Sequence, residues 1–139
     1  MIGAILGDII GSSYEFDMGD KIKDFPLFCK HSVFTGDTVM TVAVADAFLK
    51  VTPDAPNENI KQTIIQAMRE YGSRYPHAGY DARFSWWLTA DTPQPYNSYG
   101  NGSAMHVSSV AWLFNDLDTV RKAARLSAKN LELIEEIAD

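Results

Sequence analysis

A chain of 139 residues with 46% hydrophobic content, three Trp, six Tyr and seven Phe can offset its ordering entropy, which excludes a disordered chain and fits one compact domain spanning 1–139. Eighteen acidic against twelve basic residues leave a net charge of -6 without a Lys/Arg run, a field that repels a phosphate backbone and argues against duplex nucleic acid as a partner. The single Cys29 cannot close an intramolecular disulfide, and the apolar start Met1 to Ile10 is broken by Gly3, Gly7 and Asp8 and lacks a basic leader. A reducing, cytoplasmic compartment and no membrane span are therefore expected.

Ile2, Ile5, Leu6, Ile9 and Ile10 recur at helical spacing and predict a buried first helix, with Gly3, Gly7 and Gly11 on a stripe where a neighbouring backbone can approach. From Ser12 to Val33 the periodicity is lost, so a long loop is expected, with Glu15 near its start. Thr35 or Asp37 can cap a helix carrying Met40, Val42, Ala43, Val44, Ala47 and Phe48 inward and ending near Lys50. Asn57 is the expected cap of the next helix, whose apolar face is Ile60, Ile64, Ala67, Met68 and Tyr71 before Gly72 and Pro76 stop it. A short apolar segment, Phe84 to Leu88, precedes Pro93 and Pro95, and Tyr96 to Gly102 reads as a turn-rich loop. Ser103 opens a helix through Met105, Val107, Val110, Ala111 and Leu113, and Asp118 caps a last helical stretch from Val120 to Ile137. No alternating β pattern and no internal repeat is visible, so the fold class is all-α, a compact orthogonal helical bundle.

Three segments can carry chemistry. Gly7-Asp8-x-x-Gly11-x-x-x-Glu15 places a carboxylate where a helix runs into a loop; it can orient water or bind a metal, although a solvated loop acid is the simpler reading of this segment alone. Thr35-Gly36-Asp37-Thr38 sets a hydroxyl and a carboxylate side by side at a helix start, oxygen ligands suited to a hard cation such as Mg²⁺, but the same pattern is an ordinary capping sequence. Tyr99-Gly100-Asn101-Gly102-Ser103-Ala104-Met105 is a small-residue loop opening a helix, where free amides and the positive dipole end can seat a phosphate, and where a plain turn is an equal alternative. His31, His77 and His106 are too scattered to suggest a ligand set and read as surface or packing residues. Trp86 and Trp87, with Phe84 and Tyr80, can stack a nucleobase but fit a core role better.

Taken in order, Gly3-Ala4-Ile5-Leu6-Gly7-Asp8-Ile9-Ile10-Gly11, Tyr14-Glu15-Phe16, Phe34 to Thr41, Gly79-Tyr80, Phe84 to Leu88 and Gly100 to Met105 resemble the ADP-ribosylglycohydrolase family, over roughly Met1 to Ala128. The resemblance implies an all-α protein with a cleft shaped for ADP-ribose, two Mg²⁺ ions, and hydrolysis of the bond between the ribose of ADP-ribose and a modified side chain or small group. It also implies Glu15 as the catalytic loop glutamate near the scissile bond and Thr35 and Asp37 as two of three consecutive metal ligands. Gly100, Asn101, Gly102, Ser103, Ala104 and Met105 are then the wall along ribose and diphosphate.

The family's Thr-Asp-Asp reads Thr35-Gly36-Asp37 here, so one side-chain oxygen is missing, and neither the family's later His-containing segment nor its C-terminal Asp-x-Asp-Thr is found in these 139 residues. Thr35 and Asp37 alone do not retain two Mg²⁺, which favours either an impaired hydrolase or an inactive ADP-ribose-binding or protein-binding module. A shortened fold also bares apolar surface, for which a homodimer or a partner protein is the expected cover. The acidic tail, with Leu131, Leu133, Ile134 and Ile137, is expected to add a replacement helix.

Overall fold

A computed structural model describes residues 1–15, 23–98 and 100–128; Phe16, Tyr99 and the tail expected to be helical at 131–137 lie outside these. Among the described residues the chain is helical, with α1 over Ile2–Gly11, α2 over Gly36–Lys50, α3 over Asn57–Arg74 and α4 over Ala82–Thr89. Then follow α5 over Gly102–His106, α6 over Val110–Leu113 and α7 over Leu117–Ala128. Short 3-10 turns join α1 to its loop at Ser12–Tyr14 and α5 to α6 at Val107–Ser109. The all-α expectation holds.

The core lies between α2 and α3, the most extensively packed pair, with α4, α6 and α7 closing around them. α2 buries Val39, Met40, Ala43, Val44, Ala47 and Phe48, and because Ala45 and Thr41 are buried too it is enclosed on several sides. α3 is amphipathic in the ordinary way, burying Ile60, Ile64, Ala67 and Met68 at helical spacing and turning Glu58, Gln62 and Glu70 to solvent. Gly72 permits a close contact: a Cβ there would stand 2.8 Å from Leu88 Cδ1, so glycine lets α4 settle on α3. Arg69 Nε then donates to Leu88 O at 3.0 Å, occupying a carbonyl at the C-terminal end of α4. Asp81 caps the other end, accepting from the amides of Arg83 and Phe84 at 2.8 and 2.9 Å.

Several local expectations are corrected. α1 buries none of its residues: Ile2 is 76% and Leu6 43% exposed, and a Cβ on Gly3, Gly7 or Gly11 would meet nothing within 4 Å. Periodicity established the helix, but the elements packed against α1 leave Ile5, Ile9 and Ile10 only partly buried and Ile2 and Leu6 exposed. Asn57 is the first residue of α3 rather than its cap; Pro56 stands at that position without a side-chain bond. The helix also runs past Gly72 to Arg74, since Gly in a helix interior costs only about 1 kcal/mol against Ala. At α7 it is Asp116, not Asp118, whose carboxylate accepts the Thr119 amide at 2.7 Å. The single helix expected from Ser103 to Leu113 is broken into α5, a 3-10 turn and α6. Trp86 is 64% exposed while Trp87 is fully buried, so the core reading holds for one of the pair. Among the described residues no helix is long and apolar enough to cross a membrane.

Trp87 stacks on Phe84 with ring centroids 5.7 Å apart, and its Nε1 is buried without a hydrogen-bond partner, so its contribution is packing alone. Trp87→Ala is expected to cost about 3–5 kcal/mol, read as a lower urea midpoint at unchanged slope.

Candidate functional site

The site begins with Asp8, in the last turns of α1. A carboxylate there gains nothing from its own helix, whose C-terminal end is the negative pole, but it points at the start of α2, where amides are free. Asp8 Oδ2 accepts from the amides of Thr35 at 2.8 Å and Thr38 at 3.1 Å, and Oδ1 accepts from the Thr35 hydroxyl at 2.6 Å. Thr35, in extended conformation at the N-cap, returns a capping bond by accepting from the Asp37 amide at 3.3 Å. Asp37 is thereby fixed in the first turn of α2, beside Asp8.

Glu15 arrives from the other side. Ser12 Oγ donates to Ile9 O at 2.9 Å and accepts from the Val33 amide at 3.1 Å, while Ser13 Oγ lies 3.0 Å from Cys29 Sγ and 3.3 Å from Ser32 Oγ. These bonds tie the turn after α1 to the segment leading into α2 and present Glu15, in extended backbone, to the helix start. One carboxylate oxygen from each of Asp8, Glu15 and Asp37 can then be chosen so that all lie within 4.8 Å of one another. Burial raises Glu15 above the usual carboxylate range, helped by Asp37 and then Asp8; burial also raises Asp37, helped by Asp8.

Glu15, Thr35 and Asp37 line one cleft of about 470 Å³, a size suited to a small organic ligand. Gly100, Asn101, Gly102, Ser103 and Met105 form the opposite wall; Ala104 is exposed and does not line it. The structure thus brings together every residue assigned to the site except Ala104. The dipole argument for that wall weakens, because α5 has only five residues and the Ala104 amide is engaged with Asn101 O at 3.0 Å. Thr41 Oγ1, buried on α2, reaches Met105 O at 3.5 Å and marks where α2 meets this wall.

Four further residues shape the cleft without having been read from the sequence as site residues. Asp8 had no more than a possible acid role, and its part as the capping carboxylate of α2 is a long-range contact invisible to spacing. Tyr80 stands over Gly36: a Cβ on Gly36 would fall 2.8 Å from Tyr80 Cδ1 and 2.9 Å from Cε1. The Gly36 amide donates to Ala78 O at 2.6 Å, Gly79 turns the chain at φ +82°, and Phe84 meets the Tyr80 ring edge-on with centroids 5.4 Å apart. Burial alone pushes the Tyr80 phenol up to about 12, and its OH has no hydrogen-bond partner. Tyr96 adds another half-buried ring to the lining. His106, given no role by its spacing, is buried under the Gly102 wall, and burial pushes its imidazole down to about 4, so it is neutral at physiological pH. His31 and His77 are exposed.

Among the described lining residues there is no Lys or Arg, so the cleft is acidic without compensation. The carboxylates of Asp8, Glu15 and Asp37 lie close enough together to serve as oxygen donors to a divalent metal ion. The raised acids set a sign for pH. The folded protein holds their protons more tightly than the unfolded chain, so this cluster's contribution to stability is greatest below the ordinary carboxylate range and falls as pH rises through the raised values. Glu15→Gln removes one of the crowded charges. Without added cation it is expected to melt a few degrees above the parent protein at neutral pH, the gap closing near pH 4, as circular dichroism melts at both pH values would show.

A family model described as ADP-ribosylglycohydrolase matches residues 1–130. That span contains α1 to α7 and every described residue of the cleft. With the match covering most of the chain, and with its carboxylates converging on a cleft in an all-helical frame, this protein belongs to the ADP-ribosylglycohydrolase family.

Proposed function

We propose that the cleft binds an ADP-ribosyl group and, assisted by Mg²⁺, hydrolyses its linkage to a modified side chain or small group. The observation that carries this reading is the convergence of Glu15, Asp37 and the Gly100–Met105 segment on one cleft without a Lys or Arg among its described lining residues. A diphosphate is anionic, and beside Glu15, Asp37 and Asp81 it would be repelled unless a cation stood between.

Asp37, Asp8 and Thr35 would hold that cation, with Glu15 next to them. Bound Mg²⁺ would supply Lewis-acid stabilisation and lower the pKa of an attached water. The chain's own residues do the remaining work. Asp8 keeps Thr35 and Asp37 rigid, the glycines of the 100–102 segment let backbone approach the sugar and phosphates, and Tyr80 and Tyr96 provide apolar walls. Glu15 orients the attacking water: its oxygen joins the anomeric carbon, the bond to the modified group breaks, and the proton passes through Glu15 to the leaving atom. Without a cation, burial first and then Asp37 and Asp8 raise the affinity of Glu15 for a proton.

One observation favours a second reading, an ADP-ribose-binding module without turnover: the Tyr80 ring fills the space beside Gly36 that a further ligand would need. The two separate in one pair of measurements. Under the hydrolase reading, the protein with MgCl₂ releases ADP-ribose from an ADP-ribosylated substrate. Glu15→Gln then lowers the rate by about 10²- to 10⁴-fold while calorimetry at saturating MgCl₂ shows ADP-ribose affinity nearly unchanged, and Asp37→Ala abolishes release. Tight ADP-ribose binding with no release by the parent protein would leave the binding module.

A further inference from the structure

We propose that the acidic centre of this chain holds a single divalent cation rather than a pair, and that the Tyr80 ring occupies the space in which protein ligands for a second ion would stand. The inference rests on the cleft being a cation site, as the proposed function requires, and concerns how many ions it takes. The bonding of the acids decides the number of free donors. Asp8 Oδ2 already accepts two amide hydrogens and Oδ1 one hydroxyl hydrogen, which leaves the carboxylate about one free lone pair. Thr35 gives its only hydroxyl hydrogen to Asp8 and receives the Asp37 amide, so it too keeps about one. Only the carboxylates of Glu15 and Asp37 accept no hydrogen bond from described residues. That set suits one octahedral ion with several waters; a second ion would have to share the same few oxygens.

The next position along the start of α2 is Gly36, which offers no oxygen, and its surroundings are closed. A Cβ there would meet two Tyr80 ring carbons at 2.8 and 2.9 Å and Ala78 O at 3.5 Å. The ring is held on one side, since Phe84 lies against it and the Ala78–Gly79 turn that carries it is bonded to the Gly36 amide, and it borders the cleft on the other. Side-chain oxygen donors therefore approach the helix start from the Asp8 and Glu15 side, while the Gly36 side is occupied by the Tyr80 ring and by Ala78 O, which already accepts the Gly36 amide. Among the described residues, Asp8, Glu15 and Asp37 are the one group of three or more clustered His, Cys, Asp or Glu side chains.

The test uses the full chain, stripped with chelator and titrated with MnCl₂ in the absence of nucleotide, followed by calorimetry and electron paramagnetic resonance. One equivalent with a magnetically isolated spectrum is expected. Glu15→Gln, which relieves charge and leaves the capping bonds intact, should weaken it by about 10- to 100-fold. Gly36→Asp should still bind no more than one equivalent, whereas Gly36→Asp combined with Tyr80→Ala should bind a second. Two equivalents with an exchange-coupled spectrum in the parent protein, or none, would overturn the single-ion centre, and a double variant that is folded by circular dichroism yet stays at one equivalent would overturn the assignment to Tyr80. The outcome is separable from the hydrolase reading: one ion without ADP-ribose release defeats that reading alone, and two ions with release defeat this inference alone.

Discussion

The arrangement depends on one carboxylate placed between two helix ends. Asp8 sits near the negative end of α1 and turns to the positive end of α2, accepting two backbone amides and one hydroxyl across 27 to 30 residues of sequence. It does for α2 what a local N-cap would do, and it does so together with one, since Thr35 caps the same helix. The double cap matters because α2 supplies both the centre of the core and Asp37. A helix start anchored from two directions carries its functional side chain on a rigid element, and the buried Met40, Val44 and Phe48 belong to the core through which the rest of the helix packs on α3, α5 and α6.

That rigidity is used to hold like charges together. Glu15 and Asp37 both sit above their usual proton affinities because burial and neighbouring acids disfavour their ionised forms. Folding therefore stores electrostatic repulsion at the cleft, and the hydrogen bonds around Ser12, Ser13, Ser32 and Asp8 oppose it. Active sites commonly gather perturbed groups in this way, since a charge held against repulsion responds strongly to a proton or a cation. His106 shows the opposite treatment on the facing wall: burial keeps it neutral, so it adds no positive charge to balance the acids.

Tyr80 and Gly36 form the second constraint. Glycine at the first position of α2 and the aromatic ring across from it are matched, because any side chain at 36 would require the Tyr80 ring to shift. The turn at Gly79, with its positive φ, is what aims Tyr80 back over α2 before Asp81 starts α4. The missing oxygen at Gly36 is thus part of a packed arrangement, with carbon in its place.

Helix periodicity was enough to locate α2, α3 and the inward faces of both, because an apolar stripe at 3.6-residue spacing has few other uses. Glu15, Thr35, Asp37 and the Gly100–Met105 loop were legible as a group from the order of motifs rather than from any one of them, and the structure places all but Ala104 at one cleft. What the chain alone left open was everything set by contacts distant in sequence. The exposure of α1 depends on which element covers it; the division between Trp86 and Trp87 depends on how α4 rolls against α3; and the capping role of Asp8, the ring over Gly36 and the burial of His106 each arise from partners many residues away or from neighbouring walls. Local propensity is short-ranged and can specify a helix and its polar ends, whereas burial, proton affinity and the volume open to a ligand are sums over whatever the fold brings near, and those sums exist only once the helices have packed.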